Sequence, residues 1–353
     1  MRSGRTPRLL RLALDWTANT THTALLVAEA SGLNAARGLR VTFVEPTHTD
    51  APDTPLDGVV SGCMDVGIAP CDQVLAESCG LDRVACVAAL TATDISAICV
   101  NNDSLIVRPK DLAGQRFGSC GYPLERACLE AMCAADGGAG GVLEVCPPER
   151  SQTEDLLLQG HVDCAWLYRS WEVLRAERAG ISLREFRPRE FGIPFGYMNT
   201  VVVARSLLAT PEGKQTVREL LAAAADGALT AAADPAHAGR LLASMVGSSG
   251  VSEAAGLGDA DFNRASIEKL IALGALAPVP GSGERWGAME GSRWSSFVEW
   301  AQRTPAGRAL LQNQGAATGE DGQMLRSSGS LFTNEYLRPP LPHPSDAQYH
   351  VTG

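Results

Sequence analysis

Short apolar runs alternate with longer segments of helical spacing through the first half of the chain. Residues 9–14 read as a strand, and residues 22–31 as a helix apolar at Leu25, Leu26 and Ala28 and closed by Gly32. Strands follow at 39–45, 65–69, 84–90 and 97–100, with helices at 56–61 and 71–79, the latter capped by Gly80. The rhythm restarts after Pro109, with strands at 115–119, 142–146 and 162–167 and helices at 123–134 and 153–159. Beyond a strand at 200–204 the pattern turns helical and Ala-rich. Helices are predicted at 211–225, with Thr210 as N-cap and Pro211 in the first turn, within 259–273, and at 294–302. Residues 313–330 read as a loose loop, and the proline-rich tail 339–353 as extended or disordered. The repeated strand–helix alternation predicts an α/β fold of two similar lobes, each a mostly parallel sheet flanked by helices. Ligands of open α/β sheets sit at the carboxyl ends of the strands, which places a binding cleft between the lobes.

Composition narrows the partner classes. The 353-residue chain carries a net charge of −10, with 45% hydrophobic and 20% charged residues. That balance describes a globular domain and disfavours nucleic acid or an anionic membrane as the main partner. No apolar run reaches the roughly 18–20 residues of a bilayer span. The start is basic, with Arg2, Arg5, Arg8 and Arg11 and no apolar stretch after them, and the expected location is cytoplasmic. The 10 cysteines form no CxxC pair, so most of them read as small buried residues of a reducing compartment rather than as a zinc or redox motif. Lys110, Lys214 and Lys269 are the only lysines among 30 basic residues.

Candidate chemistry gathers where apolar strands give way to polar clusters. Asp15 and Trp16 end the first strand: the Trp could wall a planar ring while Asp15 and Asn19 hydrogen-bond to it, or the pair could be a buried Trp beside a capping Asp. His22 opens the following helix, where it could meet a ligand or simply start the helix. Residues 118–125 form a strand–loop–helix junction containing Gly121, Tyr122 and Glu125. Free N–H groups there could hold an anion, but the junction lacks a recognised phosphate motif. Trp166, Tyr168, Trp171 and Glu172 crowd another strand end, where a carboxylate could accept from an aminopyrimidine edge. Gly192, Pro194 and Gly196 fix a turn that aims Tyr197.

The run from Leu12 to Thr23 closely resembles the LALDWTPNTNHT opening of the thiamine-pyrimidine synthase-like family. Residues 62–68 resemble its GxVDxGI strand, with Met64 in place of Val, and residues 332–337 its FTNEYL close. The resemblance covers nearly the whole chain. It implies a type 2 periplasmic-binding-protein-like fold, with lobe 1 formed by 8–97 plus 201–338, lobe 2 by 98–200, and a tail from 339. The fungal members are suicide synthases that use pyridoxal phosphate, iron, a lysine and a sacrificial histidine. The positions matching that lysine and histidine here are Ala69 and Gln73, and no cysteine stands near 194–198, where the iron motif falls. The chain therefore sits closer to the pyrimidine-precursor-binding branch. That branch implies a small-molecule aminopyrimidine ligand of the hydroxymethyl or aminomethyl type and no cofactor. The expected ligand contacts are Asp15, Trp16, Asn19, His22, Cys71, Gly121, Tyr122, Glu125, Trp171, Glu172 and Tyr197, with Trp16 and Tyr197 sandwiching the ring. The alternative is a divergent 4-amino-5-hydroxymethyl-2-methylpyrimidine phosphate synthase or another enzyme of thiamine-pyrimidine metabolism. Pyridoxal phosphate and iron enter only in that case, with Cys71, Cys120, His22 and Glu125 as candidate residues. Arg169 at the cleft would favour an anionic ligand.

Overall fold

The first apolar run forms β1 (Arg8–Ala13), followed by β2 (Leu39–Val44), β3 (Val66–Ala69), β4 (Val84–Ala89) and β5 (Ser96–Asn101). After these come β6 (Arg116–Gly118), β7 (Leu143–Val145), β8 (Cys164–Tyr168), β9 (Leu183–Phe186) and β10 (Thr200–Ala204). The computed structural model describes residues 6–78, 83–139, 141–146, 153–194, 196–253, 256–278, 284–313 and 331–339. The loop expected at 313–330 and the tail from 339 fall almost wholly outside these residues, as do Cys79 and Gly80.

The strands make two five-stranded sheets, ordered β2-β1-β3-β10-β4 and β7-β6-β8-β5-β9. In the first, β1 lies between β2 and β3, with Leu12 opposite both Phe43 and Val66 in parallel register. Both sheets are mixed. β10 runs antiparallel between β3 and β4, and β5 runs antiparallel between β8 and β9. In each case the reversed strand is the one by which the chain enters or re-enters the sheet from the other lobe. A crossing strand is not delivered by a βαβ unit, so it is free of the parallel constraint. β5 belongs whole to the second sheet, so the first crossing falls at residues 90–95 and the expected boundary at 97/98 cuts through a strand.

Helices cover both faces, which is why β3, β4 and β10 are almost continuously buried and apolar. Thr23–Ala30 packs against Pro211–Ala233. The approach is close at Gly227, where a Cβ would lie 2.3 Å from the Ala24 carbonyl oxygen. Pro211–Ala233 outruns its expected end at 225 because nothing stops it before Asp234, which caps the next helix, Pro235–Met245.

The C-terminal helices do not belong to one lobe. Pro305–Asn313 packs on both Cys71–Ser78 and Pro123–Ala135, one from each half of the fold. Trp294, Phe297, Leu310 and Leu311 share a single buried cluster with Leu75, Leu124, Cys128 and Met132. This helical pair is a strap across the two sheets.

Candidate functional site

A cavity of about 560 Å³ opens between the carboxyl ends of the parallel strands of both sheets. The first sheet contributes Asp15 and Trp16 after β1, Pro46 after β2, and Pro70, Asp72 and Gln73 after β3. The second contributes Cys120 to Glu125 after β6, Thr153 and Glu154 after β7, Trp166 within β8, Tyr168 at its end and Glu172 beyond it. Tyr122 closes the gap directly: its Oη donates to the Asp15 carbonyl oxygen at 3.0 Å.

The Asp15 side chain is held from behind. Its Oδ1 lies 2.8 Å from His22 Nε2, and its Oδ2 accepts from Asn199 Nδ2 at 2.5 Å. The Asn19 N–H donates to His22 Nδ1, so that nitrogen is an acceptor and Nε2 carries the proton given to Asp15. His22 is buried, and it serves Asp15 rather than the cavity. The Asn19 side chain is also occupied: its oxygen accepts the Thr21 N–H at 2.8 Å and its nitrogen donates to the Thr17 carbonyl at 3.1 Å. The loop itself is pinned by Glu45, which is fully buried. Its carboxylate accepts the Ala18 N–H at 3.0 Å, the Ser252 N–H at 3.2 Å and the Ser252 hydroxyl at 2.5 Å.

At the second wall the junction 118–125 folds onto its own carboxylate. Buried Glu125 accepts the Ser119 hydroxyl at 2.8 Å and the Cys120 N–H at 2.9 Å through Oε2, and the Gly121 N–H donates to Ser119 Oγ at 2.8 Å. Glu172 accepts the Tyr168 N–H at 2.9 Å. Burial, reinforced by neighbouring Glu154, pushes the Glu172 carboxyl up to about 7. Burial likewise raises Glu154, against the pull of its ion-pair partner Arg175. Burial foremost, with Asp15 and Glu125 adding, keeps the Tyr168 phenol protonated well above its ordinary range.

Of the residues expected at the ligand, Asp15, Trp16, Gly121, Tyr122, Glu125 and Glu172 line the cavity. Asn19, His22, Cys71, Trp171 and Tyr197 do not. The expected Trp16–Tyr197 sandwich is not formed. Tyr197 is buried against Trp294, with ring centroids 5.9 Å apart, and its Oη accepts the Glu290 N–H at 2.8 Å. The C-terminal strap claims that ring, and no local pattern around 192–197 announces a partner so distant in sequence. Cys71 is sealed beneath Gly196, whose Cβ would lie 2.6 Å from the thiol sulfur. Burial first, then Asp72, raises that thiol well above its ordinary range, which disfavours the reactive thiolate. Trp171 packs edge-on against Phe262 with centroids 4.8 Å apart. Arg169 pairs with Glu185 at 2.6 Å, away from the cavity lining.

Asp72, Glu154, Trp166 and Tyr168 line the cavity although they were not among the expected contacts. Asp72 lies in the first helical turn after β3 and Tyr168 ends β8, so the strand-end rule applied to every strand would have found these two; Trp166 lies within β8 and Glu154 in the first turn of Thr153–Leu158. Glu45 carries no such signal, because its partner Ser252 is 207 residues away.

A family model described as NMT1/THI5 like matches residues 19–238. The formylaminopyrimidine-binding protein of Halalkalibacterium halodurans is 27% identical over 216 residues, covering 58% of this chain and 61% of the relative. A Haemophilus influenzae protein provisionally named for thiamine biosynthesis is 25% identical over 202 residues, covering 55% and 61%. The matched stretch thus spans about three-fifths of each relative's length. The periplasmic aliphatic sulphonate binding protein SsuA of Escherichia coli shares the fold, with a TM-score of 0.64 at 14% identity over 94% of this chain and 99% of that one. This neighbour corrects the expected cytoplasmic location. The fold is one that periplasmic binding proteins carry. The architecture is that of a periplasmic-binding-protein fold, and the chain belongs to the NMT1/THI5-like family.

Proposed function

We propose that this chain binds an aminopyrimidine precursor of thiamine in the cavity between its sheets, in thiamine biosynthesis or salvage. One observation carries the reading: the cavity combines aromatic walls, Trp16, Tyr122, Trp166 and Tyr168, with fixed carboxylates, Asp15 and Glu172, at strand ends of both lobes. A planar heterocycle stacks on such walls for about 1 kcal/mol beyond area burial. Carboxylates accept from its exocyclic amino group. The relatives' names support the ligand class, one being called a formylaminopyrimidine-binding protein.

The binding needs no cofactor. The residues do not fit pyridoxal phosphate: no lysine lines the cavity among the described residues, and Ala69 and Gln73 stand where the synthases carry lysine and histidine. The Cys120 N–H that would face a phosphate is already given to Glu125.

Thermal shift and native mass spectrometry with thiamine pyrimidines, pyridoxal phosphate and thiamine test the reading. A pyrimidine at ~100 times its Kd should stabilise the fold by about 2.7 kcal/mol and appear as an intact, reversible complex. A covalent pyridoxal adduct or mass loss at a histidine would replace binding with synthase chemistry, and silence across the panel would refute the ligand class.

A further inference from the structure

We infer that the cavity selects a positively charged ligand and rejects a phosphorylated one. The inference rests on the pyrimidine reading above and names which pyrimidine: one bearing a protonated amine on its side arm, rather than a hydroxymethyl group or its phosphate ester.

Charge is the first ground. Among the described residues the cavity is lined by eight carboxylates, from Asp15 to Glu172, against one lining guanidinium, that of Arg83. Glu77 is ion-paired with Arg83 and Glu154 with Arg175, and burial holds the Glu172 carboxyl up to about 7, which leaves Asp15, Asp53, Asp57, Asp72 and Glu125 to set the sign of the cavity. Arg83 is bound to Glu77 through Nε at 2.7 Å and Nη2 at 3.2 Å, so its fork is turned on a neighbour rather than on the cavity. Carboxylates lining one cavity concentrate cations and repel anions. The buried members of those that set the sign, Asp72 and Glu125, are the least screened by salt.

The second ground is independent of net charge. A strand–loop–helix junction is where a phosphate ordinarily docks, because backbone N–H groups converge there at the positive end of the helix dipole. The junction before Pro123–Ala135 has this form, and Glu125 from the first helical turn occupies the place an anion would take. It accepts the Cys120 N–H, and Ser119 Oγ, which donates to it, accepts the Gly121 N–H in turn. The protein supplies its own anion. A phosphate would have to displace a buried carboxylate or sit beside it unneutralised.

Isothermal titration of the full chain with three pyrimidines that differ only in the side arm tests this: aminomethyl, hydroxymethyl and the hydroxymethyl phosphate ester. The aminomethyl compound should bind at least about tenfold more tightly than the hydroxymethyl one, with an affinity that falls as salt rises, and the phosphate ester should give no heat. Equal affinity for the neutral compound, or binding of the phosphate ester, overturns the inference and leaves the pyrimidine reading standing. If no pyrimidine binds but benzylamine does, the pyrimidine reading falls and charge selection survives; if benzylamine also fails, both fall. Glu125→Ala frees the junction N–H, and should create measurable binding of the phosphate ester that inorganic phosphate competes away. Glu125→Gln keeps an acceptor for Cys120 without the charge, and should show a weaker gain. No gain in either folded variant refutes the role given to Glu125.

Discussion

His22 Nε2 gives its proton to Asp15 Oδ1 across 2.8 Å, and the direction is set from the far side of the ring, where the Asn19 N–H donates to Nδ1. The motif residues Asp15, Asn19 and His22 thus act as one unit. Asn19 fixes the tautomer, His22 fixes the carboxylate, and only Asp15 faces the cavity. A carboxylate held this way cannot rotate to relax, so it presents its remaining lone pairs in one geometry. Preorganisation of this kind lowers the ordering cost of binding.

Replacing Asp15 by Asn puts an NH₂ group where two donors, His22 Nε2–H and Asn199 Nδ2–H, both need acceptors. At least one buried donor loses its partner and the cavity loses a charge. Pyrimidine affinity measured by titration calorimetry should fall by about tenfold or more, and stability by roughly 1–3 kcal/mol.

Trp16 is half-buried at the cavity wall, and among the described residues it has no ring partner as close as that of Trp171 against Phe262. Trp16→Ala should therefore remove the ligand-induced rise in melting temperature while changing the ligand-free melting curve little. Unchanged affinity would take Trp16 out of the site.

Glu45 reaches no ligand, yet it should matter to one. Glu45→Ala removes the carboxylate that accepts the buried Ala18 N–H and two hydrogen bonds from partly buried Ser252. The expected cost is about 3 kcal/mol by chemical denaturation, together with weaker ligand binding because the 15–19 loop is released. Glu45→Gln, which retains an acceptor, should recover part of both.

Glu172 should impose a pH dependence. Its carboxyl titrates near 7 in the folded protein, above the ordinary Glu value of about 4.3 in the unfolded chain. The folded state therefore holds the proton more tightly. This contribution to stability is fully present below about pH 4 and is lost as pH rises through about 7, by roughly 3–4 kcal/mol in all. In Glu172→Gln this component of the decline in melting temperature between those limits should disappear. A decline of the same size in the variant would assign it to other groups.

Alternation of short apolar runs with helical spacing was sufficient to determine the α/β class, most element positions and the strand-end location of the cleft. Those features rest on local periodicity and on where an apolar strand stops. The motif at 12–23 likewise identified Asp15 and Trp16 as cavity residues, because a strand end fixes direction as well as position. Tertiary structure alone decided the antiparallel insertion of β5 and β10, since strand direction after a lobe crossing depends on a partner outside the local sequence. It also decided which motif residues face inward. Tyr197 is taken by Trp294 and Cys71 by Gly196, while His22 turns to Asp15. A polar residue in a motif can serve the ligand or serve the residue that serves the ligand, and sequence spacing is the same in both cases. Only packing of distant segments, here the C-terminal strap and Ser252 on Glu45, distinguishes them.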